Sequence, residues 1–291
     1  MSWRIVSVSS LSKLDYKMDY LVVRNKEGVT RIHLSEISVL ILESTAISLT
    51  AYLLCELDRR KIAVILCDEK RIPYGVVASL YGSHDTSLHY RTQCMWDAQD
   101  MRNVWASIVR AKITGQIAVL PSEKTAEKEL MRSYLPQIVP GDETNREGHA
   151  AKVYFNALFG MGFTRNGNDP VNTALNYGYG LLLSATAREV TAAGYCTQLG
   201  IFHNNRFNRL NLASDLMEPF RPFVDACVRD LAPSVFGKEE KNTLIGVLNR
   251  KVCIAGREQY MLNALRIFAL SVFDALETHD AERLAFPDYS V

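Results

Sequence analysis

Residues 170–183 are Pro170-Val-Asn-Thr-Ala-Leu-Asn-Tyr-Gly-Tyr-Gly-Leu-Leu-Leu183, and they open a run of apolar residues at helical spacing that continues to residue 193. Similar patterns recur from about residue 89 onward. They predict helices at roughly 90–115, 123–137, 145–160, 170–193, 211–231, 239–248 and 256–277. Breakers such as Pro140, Gly141 and Gly194 fall at or near the junctions between these segments. The larger part of the chain is therefore predicted to be helical.

The first 85 residues differ, because they contain short runs rich in β-branched residues. These runs predict strands at 4–9, 20–24, 29–34, 39–42 and 62–67, a further strand at 75–79, and a helix at 44–59. Asn25-Lys-Glu-Gly28, between two of the runs, is typical of a hairpin turn. We therefore predict an α+β protein with a small β-rich domain at 1–85 and a larger helical domain at 86–291. A polar linker beginning at Gly82 would join them.

The composition of the 291-residue chain, 48% hydrophobic and 22% charged, is typical of a soluble globular protein. No run approaches the roughly 18 apolar residues of a membrane span, and no signal peptide opens the sequence. We therefore expect a cytoplasmic protein with no membrane association. The net charge of +1 is not concentrated in either part, so composition alone does not indicate nucleic-acid binding. The scattered cysteines predict buried thiols rather than disulfides or a zinc site.

Residues 142–225 contain the side chains best suited to chemistry. Glu147 follows Thr144 and Asn145, either of which can cap a helix, so it lies in a predicted first turn. Its simplest role there is to complement the helix dipole. His203 directly follows two apolar residues and opens a stretch rich in Asn and Arg, which suits the edge of a site. A half-buried structural histidine is the simpler interpretation.

Asp215 and Glu218 are three residues apart, so a helix would place both carboxylates on one face. Like charges at that distance repel, and a cation would relieve the repulsion. The alternative is two solvated acids, with Arg221 pairing to Glu218, but the segment is largely apolar. Pro219 should bend the chain beside Glu218. The segment therefore suggests a site without establishing one.

Two carboxylates and an imidazole suit Mg²⁺ or Mn²⁺. Such an ion can orient a phosphodiester and stabilise the charge of in-line attack. The spacing between Glu147, His203 and Glu218 is too long for a local motif, so the sequence alone does not show that they converge. Gly178 and Gly180 in the 170–193 helix indicate close packing, either against another helix or against DNA.

Four blocks follow one another along the chain: Glu147-Gly-His-Ala-Ala-Lys-Val-Tyr-Phe155, Asn172-Thr-Ala-Leu-Asn-Tyr-Gly-Tyr179, Gly200-Ile-Phe-His203 and Leu212-Ala-Ser-Asp-Leu-Met-Glu-Pro-Phe-Arg-Pro222. This ordered series resembles the integrase (endonuclease) subunit of the CRISPR adaptation machinery. Together with the opening Met1-Ser-Trp-Arg4, the acidic end of the last block is most similar to type II relatives. The motifs span about 142–225, and the two-domain outline agrees over nearly the whole chain.

The resemblance implies an N-terminal β-sandwich-like domain that dimerises and an all-α catalytic domain. It implies that Glu147, His203 and Glu218 are the catalytic residues and hold Mg²⁺ or Mn²⁺. Many relatives have aspartate at the last position. Asp215 matches a nearby acid that supports these ligands or replaces one. The implied activity joins the 3′-hydroxyl of a spacer precursor to the CRISPR repeat by transesterification.

The implied partners are double-stranded DNA, a second copy of the chain, and a small adaptation protein whose dimer bridges two homodimers into a heterohexamer. Further type II CRISPR proteins are additional candidates. Residues predicted to hold DNA are Tyr154, Asn176, Arg188, Arg206 and Arg209. Two alternatives stay open: a metal-dependent nuclease that cuts branched DNA without joining it, and a non-catalytic scaffold that binds DNA ends.

Overall fold

The computed structural model describes residues 4–77 and 83–289. The chain divides into two compact units, Met1–His84 and Asp85–Val291. The predicted boundary after residue 85 lies next to this division. The end of the strand predicted at 75–79 and the first residue of the predicted linker, Gly82, lie outside the described residues.

The N-terminal unit is built mainly from strands. Its elements are β1 (Arg4–Val8), β2 (Lys13–Lys17), β3 (Tyr20–Asn25), β4 (Gly28–His33), β5 (Ile37–Leu42), β6 (Ser48–Leu49), α1 (Ala51–Arg59), β7 (Ala63–Cys67) and β8 (Pro73–Val77). One sheet has the order β1-β5-β7-β8 and the other β4-β3-β2-β6. In the first sheet β5 pairs in parallel with β1 and β7, whereas β8 is antiparallel to β7.

A single apolar core joins the two sheets and the helix of this unit. Leu40 of one sheet, Leu14 and Leu21 of the other, and Leu53 of α1 all belong to it and are fully buried. Two facing layers around a shared core make a sandwich, which confirms the predicted β-sandwich-like domain. The helix is shorter than predicted because Thr50 caps it, its side chain accepting a hydrogen bond from the Leu53 amide at 3.3 Å.

Helices dominate the C-terminal unit. Its elements are α2 (Thr86–Cys94), α3 (Ala98–Val119), α4 (Thr125–Tyr134), α5 (Arg146–Phe159), α6 (Pro170–Ala192), α7 (Asn211–Met217), α8 (Arg221–Leu231), α9 (Lys238–Val247), β9 (Lys251–Ile254), β10 (Arg257–Tyr260), α10 (Met261–Thr278) and β11 (Pro287–Asp288). The helix predicted at 211–231 is interrupted by a 3-10 turn at Glu218–Phe220, where Pro219 stands.

The C-terminal unit also contains a small sheet that the sequence did not predict. Strands β10, β9 and β11 form it, in that order, and all pairings are antiparallel. Ala255 and Gly256, both with positive φ (50° and 69°), make the turn between β9 and β10. The prediction of an all-α domain was therefore wrong at this point, and the helix predicted from residue 256 begins at Met261.

Close packing explains one of the two helical glycines. A Cβ added at Gly178 of α6 would lie 2.5 Å from Val224 Cγ1 of α8, so only glycine fits there. The packing interpretation therefore holds for Gly178. Among the cysteines predicted to be buried, Cys67 is buried, whereas Cys55 and Cys94 are exposed. Within residues 4–77 and 83–289, no helix has both the length and the apolar character needed to cross a membrane.

Candidate active site

Glu147 lies in the first turn of α5, as predicted. Asn145 caps this helix, and its side chain accepts a hydrogen bond from the Gly148 amide at 3.2 Å. The buried carboxylate of Asp142 accepts the amides of Arg146 and Glu147, both at 2.9 Å. These bonds satisfy amides that the helix leaves without partners. They fix the point from which the Glu147 side chain, 25% exposed, extends.

Glu218 begins the 3-10 turn between α7 and α8, and its side chain is only 3% exposed. Arg221, three residues further on, places its Nε 3.1 Å from Glu218 Oε1. Burial alone would raise the pKa of Glu218, but the charges of Arg221 and Lys112 outweigh burial and hold the pKa below its usual value. Glu218 is therefore an ionised carboxylate in an apolar surrounding. It is not one of two solvated acids.

Lys112 of α3 connects the two glutamates. Its Nζ lies 2.5 Å from Glu147 Oε1 and 2.5 Å from Glu218 Oε2. Burial tends to lower the pKa of this ammonium, but Glu218 and Glu147 outweigh that effect and raise it. Two carboxylates that are distant in sequence thus converge on one positive charge, a convergence that the spacing of the motifs could not establish.

Asp215 holds His203 and the loop before it. Its fully buried carboxylate accepts the backbone amides of Ile201 (2.6 Å), Phe202 (3.1 Å) and His203 (3.1 Å). It also lies 2.5 Å from His203 Nδ1. A carboxylate at Nδ1 fixes the ring and leaves Nε2 as the available nitrogen, the usual arrangement behind a metal-binding histidine. Asp215 therefore positions His203.

Two further features restrict the His203 loop. A Cβ added at Gly200 would lie 2.3 Å from the His203 carbonyl oxygen and 2.7 Å from Asp215 Oδ2, so a side chain there would displace the loop. Trp105 of α3 stacks on Phe202 with ring centroids 4.4 Å apart, and its edge meets His203 at 5.7 Å. The histidine is thus held from both sides, with its side chain 38% exposed.

His203 is close enough to the glutamates to respond to their charge. The hydrogen bond from Asp215 raises the pKa of His203 against the opposing effect of burial, and Asp215, Glu218 and Glu147 add to the rise by their charges. In the described parts of the chain, however, no three acidic, histidine or cysteine side chains are arranged so that they could hold a metal ion. The cation position between the carboxylates is taken by Lys112.

The donor set nevertheless fits a divalent ion in its chemistry. Carboxylate oxygens from Glu147 and Glu218 already point at one cation, and the Lys112 ammonium is the stand-in for it. Although that ammonium is near, Glu218 Oε2 is buried without a directed hydrogen bond. His203 Nε2 adds an imidazole nitrogen, which Mn²⁺ tolerates.

A buried polar network adjoins the site and includes Tyr154. Asp225 of α8 is wholly buried, and it accepts hydrogen bonds from the hydroxyls of Tyr154 (3.0 Å) and Tyr179. The Arg221 guanidinium lies over the Tyr179 ring, 4.7 Å from its centroid. Tyr154 has no exposed surface, which contradicts the prediction that it contacts DNA. It supports the packing of α5 against α8.

The other residues predicted to hold DNA lie at or near the surface. Asn176 is exposed, and its Oδ1 accepts a hydrogen bond from Arg165 at 2.8 Å. Arg188 is partly buried and paired with Glu189. Arg206 and Arg209 are exposed in the loop that follows His203. Their contact with DNA stays a prediction, and the two loop arginines are the best placed for it.

Sequence reasoning missed Lys112 and Asp142, and it treated Arg221 only as a partner of a solvated Glu218. Lys112 carried a recognisable signal, because it falls at helical spacing within the apolar face formed by Trp105, Ile108 and Val109. A lysine on such a face is unusual unless a buried acid accompanies it. Asp142 carried no comparable signal, since acids before helices are common.

Comparison with known proteins agrees with this geometry. Residues 6–241 match the family described as CRISPR associated protein Cas1. The CRISPR-associated endonuclease Cas1 of Neisseria meningitidis serogroup C (strain 8013) is 32% identical over 295 residues, covering 99% of this chain and 97% of the relative.

Solved structures share the fold at low sequence identity. A casposase bound to integration product matches with a TM-score of 0.78 and 18% identity, over 96% of this chain and 92% of that one. A chain of a Cas6-RT-Cas1–Cas2 complex matches with a TM-score of 0.75 and 18% identity, over 97% of this chain. The present chain spans 36% of that longer chain. Since the family match covers most of the sequence and the meningococcal relative aligns nearly from end to end, the chain belongs to the Cas1 family of CRISPR-associated proteins.

Proposed function

We propose that this chain is a metal-dependent DNA integrase that inserts spacer DNA into a CRISPR array, using Glu147, His203 and Glu218. The observation that carries the proposal is the convergence of Glu147 and Glu218 on one cation position, with His203 oriented nearby by Asp215. The meningococcal relative is named an endonuclease, and the casposase structure holds an integration product. Both names support phosphodiester chemistry on DNA.

In the proposed reaction the 3′-hydroxyl oxygen of a spacer precursor attacks a phosphorus of the repeat. A new P–O bond forms while the bond to the repeat's own 3′-oxygen breaks, and the proton lost by the attacking hydroxyl balances the one gained by the leaving oxygen. Mg²⁺ or Mn²⁺, when held by Glu147, His203 and Glu218, would supply Lewis acidity at the phosphate. No net hydrolysis occurs, so cutting and joining are one step.

The chain's own residues prepare this site. Arg221 keeps Glu218 ionised and oriented, at 3.1 Å. Asp215 holds the His203 ring by Nδ1 so that Nε2 faces outward. Asp142 and Asn145 fix the start of the helix that carries Glu147. Preorganised ligands of this kind lower the cost of ordering the site when substrate binds.

We also propose the assembly that the family resemblance implies: a homodimer formed through the N-terminal unit, with two such dimers bridged by a dimer of a small partner protein in the cytoplasm. The structural relative from a Cas6-RT-Cas1–Cas2 complex supports a protein partner. The net charge of +1 supports it too, because a nearly neutral chain gains DNA-binding surface by assembling with a more basic protein.

The test is strand transfer in Mg²⁺ or Mn²⁺. It would use a labelled short duplex with free 3′-hydroxyls, a plasmid carrying the repeat, and the small partner protein. Glu147→Gln and Glu218→Gln should abolish labelled plasmid, with a loss of at least about a hundredfold for removal of a ligand. Glu143→Gln is the matched control, since Glu143 is 64% exposed on the same segment and pairs with Arg102. It should join normally.

Each other result points to a different function. Joining by the two site variants would refute the site assignment. Plasmid that is cut but never labelled would indicate a nuclease without joining activity. Metal-independent binding of DNA ends with no covalent product would indicate a scaffold. All variants should first be shown to unfold at temperatures close to that of the parent protein.

A further inference from the structure

Lys112 is the least expected residue of the site. It lies on α3 among core residues, and only 9% of its side chain is exposed. A buried ammonium is tolerated when it is closely paired, and here two carboxylates flank it at 2.5 Å each. The same charge also relieves the repulsion between Glu147 and Glu218, which would otherwise face one another with no cation between them.

We infer that the Lys112 ammonium occupies the cation position of this site when metal is absent, and that it must withdraw for a divalent ion to bind. The inference rests on the proposed function, because it takes Glu147 and Glu218 as the ion's ligands. Mg²⁺ binds carboxylate oxygens at roughly 2.0–2.1 Å. An ammonium 2.5 Å from the same two oxygens therefore leaves no space for the ion between them.

The chemistry of lysine suits this exchange. Its ammonium is a compact charge on a flexible four-carbon stem, so it can leave without moving the helix backbone. An arginine would instead present a rigid planar fork that can hold carboxylates through two hydrogen bonds. Lysine thus keeps the carboxylates ionised and together, and it releases them at a lower cost than arginine.

This exchange lowers the apparent affinity for metal. Only the population in which the ammonium has withdrawn can bind the ion. If the lysine is in place about nine times in ten, the apparent dissociation constant is about tenfold higher than the intrinsic one. The lysine therefore sets the metal concentration at which the site fills. It makes the metal-free site a stable paired state.

The experiment measures Mn²⁺ binding directly, by electron paramagnetic resonance or calorimetry, on the full chain without DNA. Lys112→Met removes the competing charge and should bind Mn²⁺ at least about tenfold more tightly than the parent protein. Lys112→Arg keeps a charge that is harder to displace and should bind it more weakly. Glu147→Gln added to Lys112→Met should reverse the gain and so place the ion at this site.

Thermal unfolding gives a second measurement. In EDTA, Lys112→Met should unfold at a lower temperature than the parent, because two buried carboxylates lose their cation, and saturating Mn²⁺ should restore the difference. Lys241→Met is the matched control. Lys241 is equally buried in the same unit but lies over the rings of Tyr177 and Phe236. Any loss of stability in this variant should be the same with and without Mn²⁺.

The outcomes separate this inference from the proposed function. Unchanged or weaker Mn²⁺ binding by Lys112→Met would overturn the inference, even if the protein joins DNA. Tighter binding by Lys112→Met and weaker binding by Lys112→Arg would support it, even if the protein neither cuts nor joins DNA. Should Lys112→Met fail to fold, the direction of the Lys112→Arg change decides alone, since tighter or equal binding there contradicts the exchange.

Discussion

Asp225 shows how a single buried residue shapes the region behind the site. Burial raises the pKa of this carboxyl to about 6, although the Tyr179 and Tyr154 hydroxyls and the charges of Arg221 and Lys112 act in the opposite direction. The folded protein therefore binds the Asp225 proton more tightly than the unfolded chain does. Stability contributed by this group is present at low pH and is lost as pH rises from about 4 to about 6.

Asp225→Asn should remove that pH dependence. We expect the free energy of unfolding of the parent, minus that of the variant, to be larger at pH 5 than at pH 7.5 by roughly 1 kcal/mol. Urea unfolding at the two pH values measures the difference. Asp230→Asn, at a carboxylate that is 67% exposed and paired with Arg229, is the control and should show no such change. A difference that grows toward pH 7.5 would contradict the assignment.

Helix packing governs the next scale, and α6 is the central example. Most of this helix is buried, and α7, α8, α9 and α10 pack against it. Gly178 allows α8 to approach so closely that a methyl group would lie 2.5 Å from Val224 Cγ1 and 3.3 Å from Leu244 Cδ2. Since α7 and α8 flank the turn that carries Glu218, the placement of α8 against α6 also affects the site.

Gly178→Ala should therefore destabilise the protein, by about 1–3 kcal/mol, the usual cost of overpacking. Gly246→Ala is the matched control, because Gly246 is exposed within α9 and nothing lies within 4 Å of an added Cβ. Alanine there should be neutral or should stabilise by up to about 1 kcal/mol. Denaturant unfolding of both variants measures these effects. Equal effects at the two positions would show that helix propensity, and not packing, determines the outcome.

Charge is a property of the whole molecule. The chain carries 33 basic and 32 acidic side chains, so long-range attraction to DNA is weak, and positive charge near the site comes from local residues such as Arg206 and Arg209. Non-specific binding to DNA depends mainly on the number of phosphates neutralised. Most of the binding surface should therefore form only when the chain assembles with its partner protein.

Fluorescence anisotropy with a short duplex at 50 and 200 mM salt tests this expectation. Binding by the chain alone should be weak with a shallow salt dependence, and the partner protein should increase both affinity and the slope. Arg206→Gln with Arg209→Gln should reduce the slope for the complex by up to about two. Tight binding by the isolated chain with a steep slope would show that it carries the binding surface by itself.

Local patterns in the sequence were enough to predict much of this architecture. The two textures of the chain, the strand at Ile37–Leu42, the hairpin turn at Asn25–Gly28 and the helix that starts beside Glu147 were all evident, because they depend on periodicity and capping within a few residues. The short strand Lys13–Lys17 was not, since only Leu14 is fully buried in it and its pairing is supplied by distant residues.

The site required both levels. Ordered motifs identified Glu147, His203, Asp215 and Glu218, but spacing along the chain could not show that they meet, because side chains 71 residues apart in sequence, as Glu147 and Glu218 are, become neighbours only through packing. Burial of Tyr154 and the small sheet around β9 were likewise decided by contacts with remote segments. Sequence by itself determined the family and the candidate ligands. Tertiary structure alone decided that Lys112 stands between them, because a buried charge is positioned by the partners that compensate it.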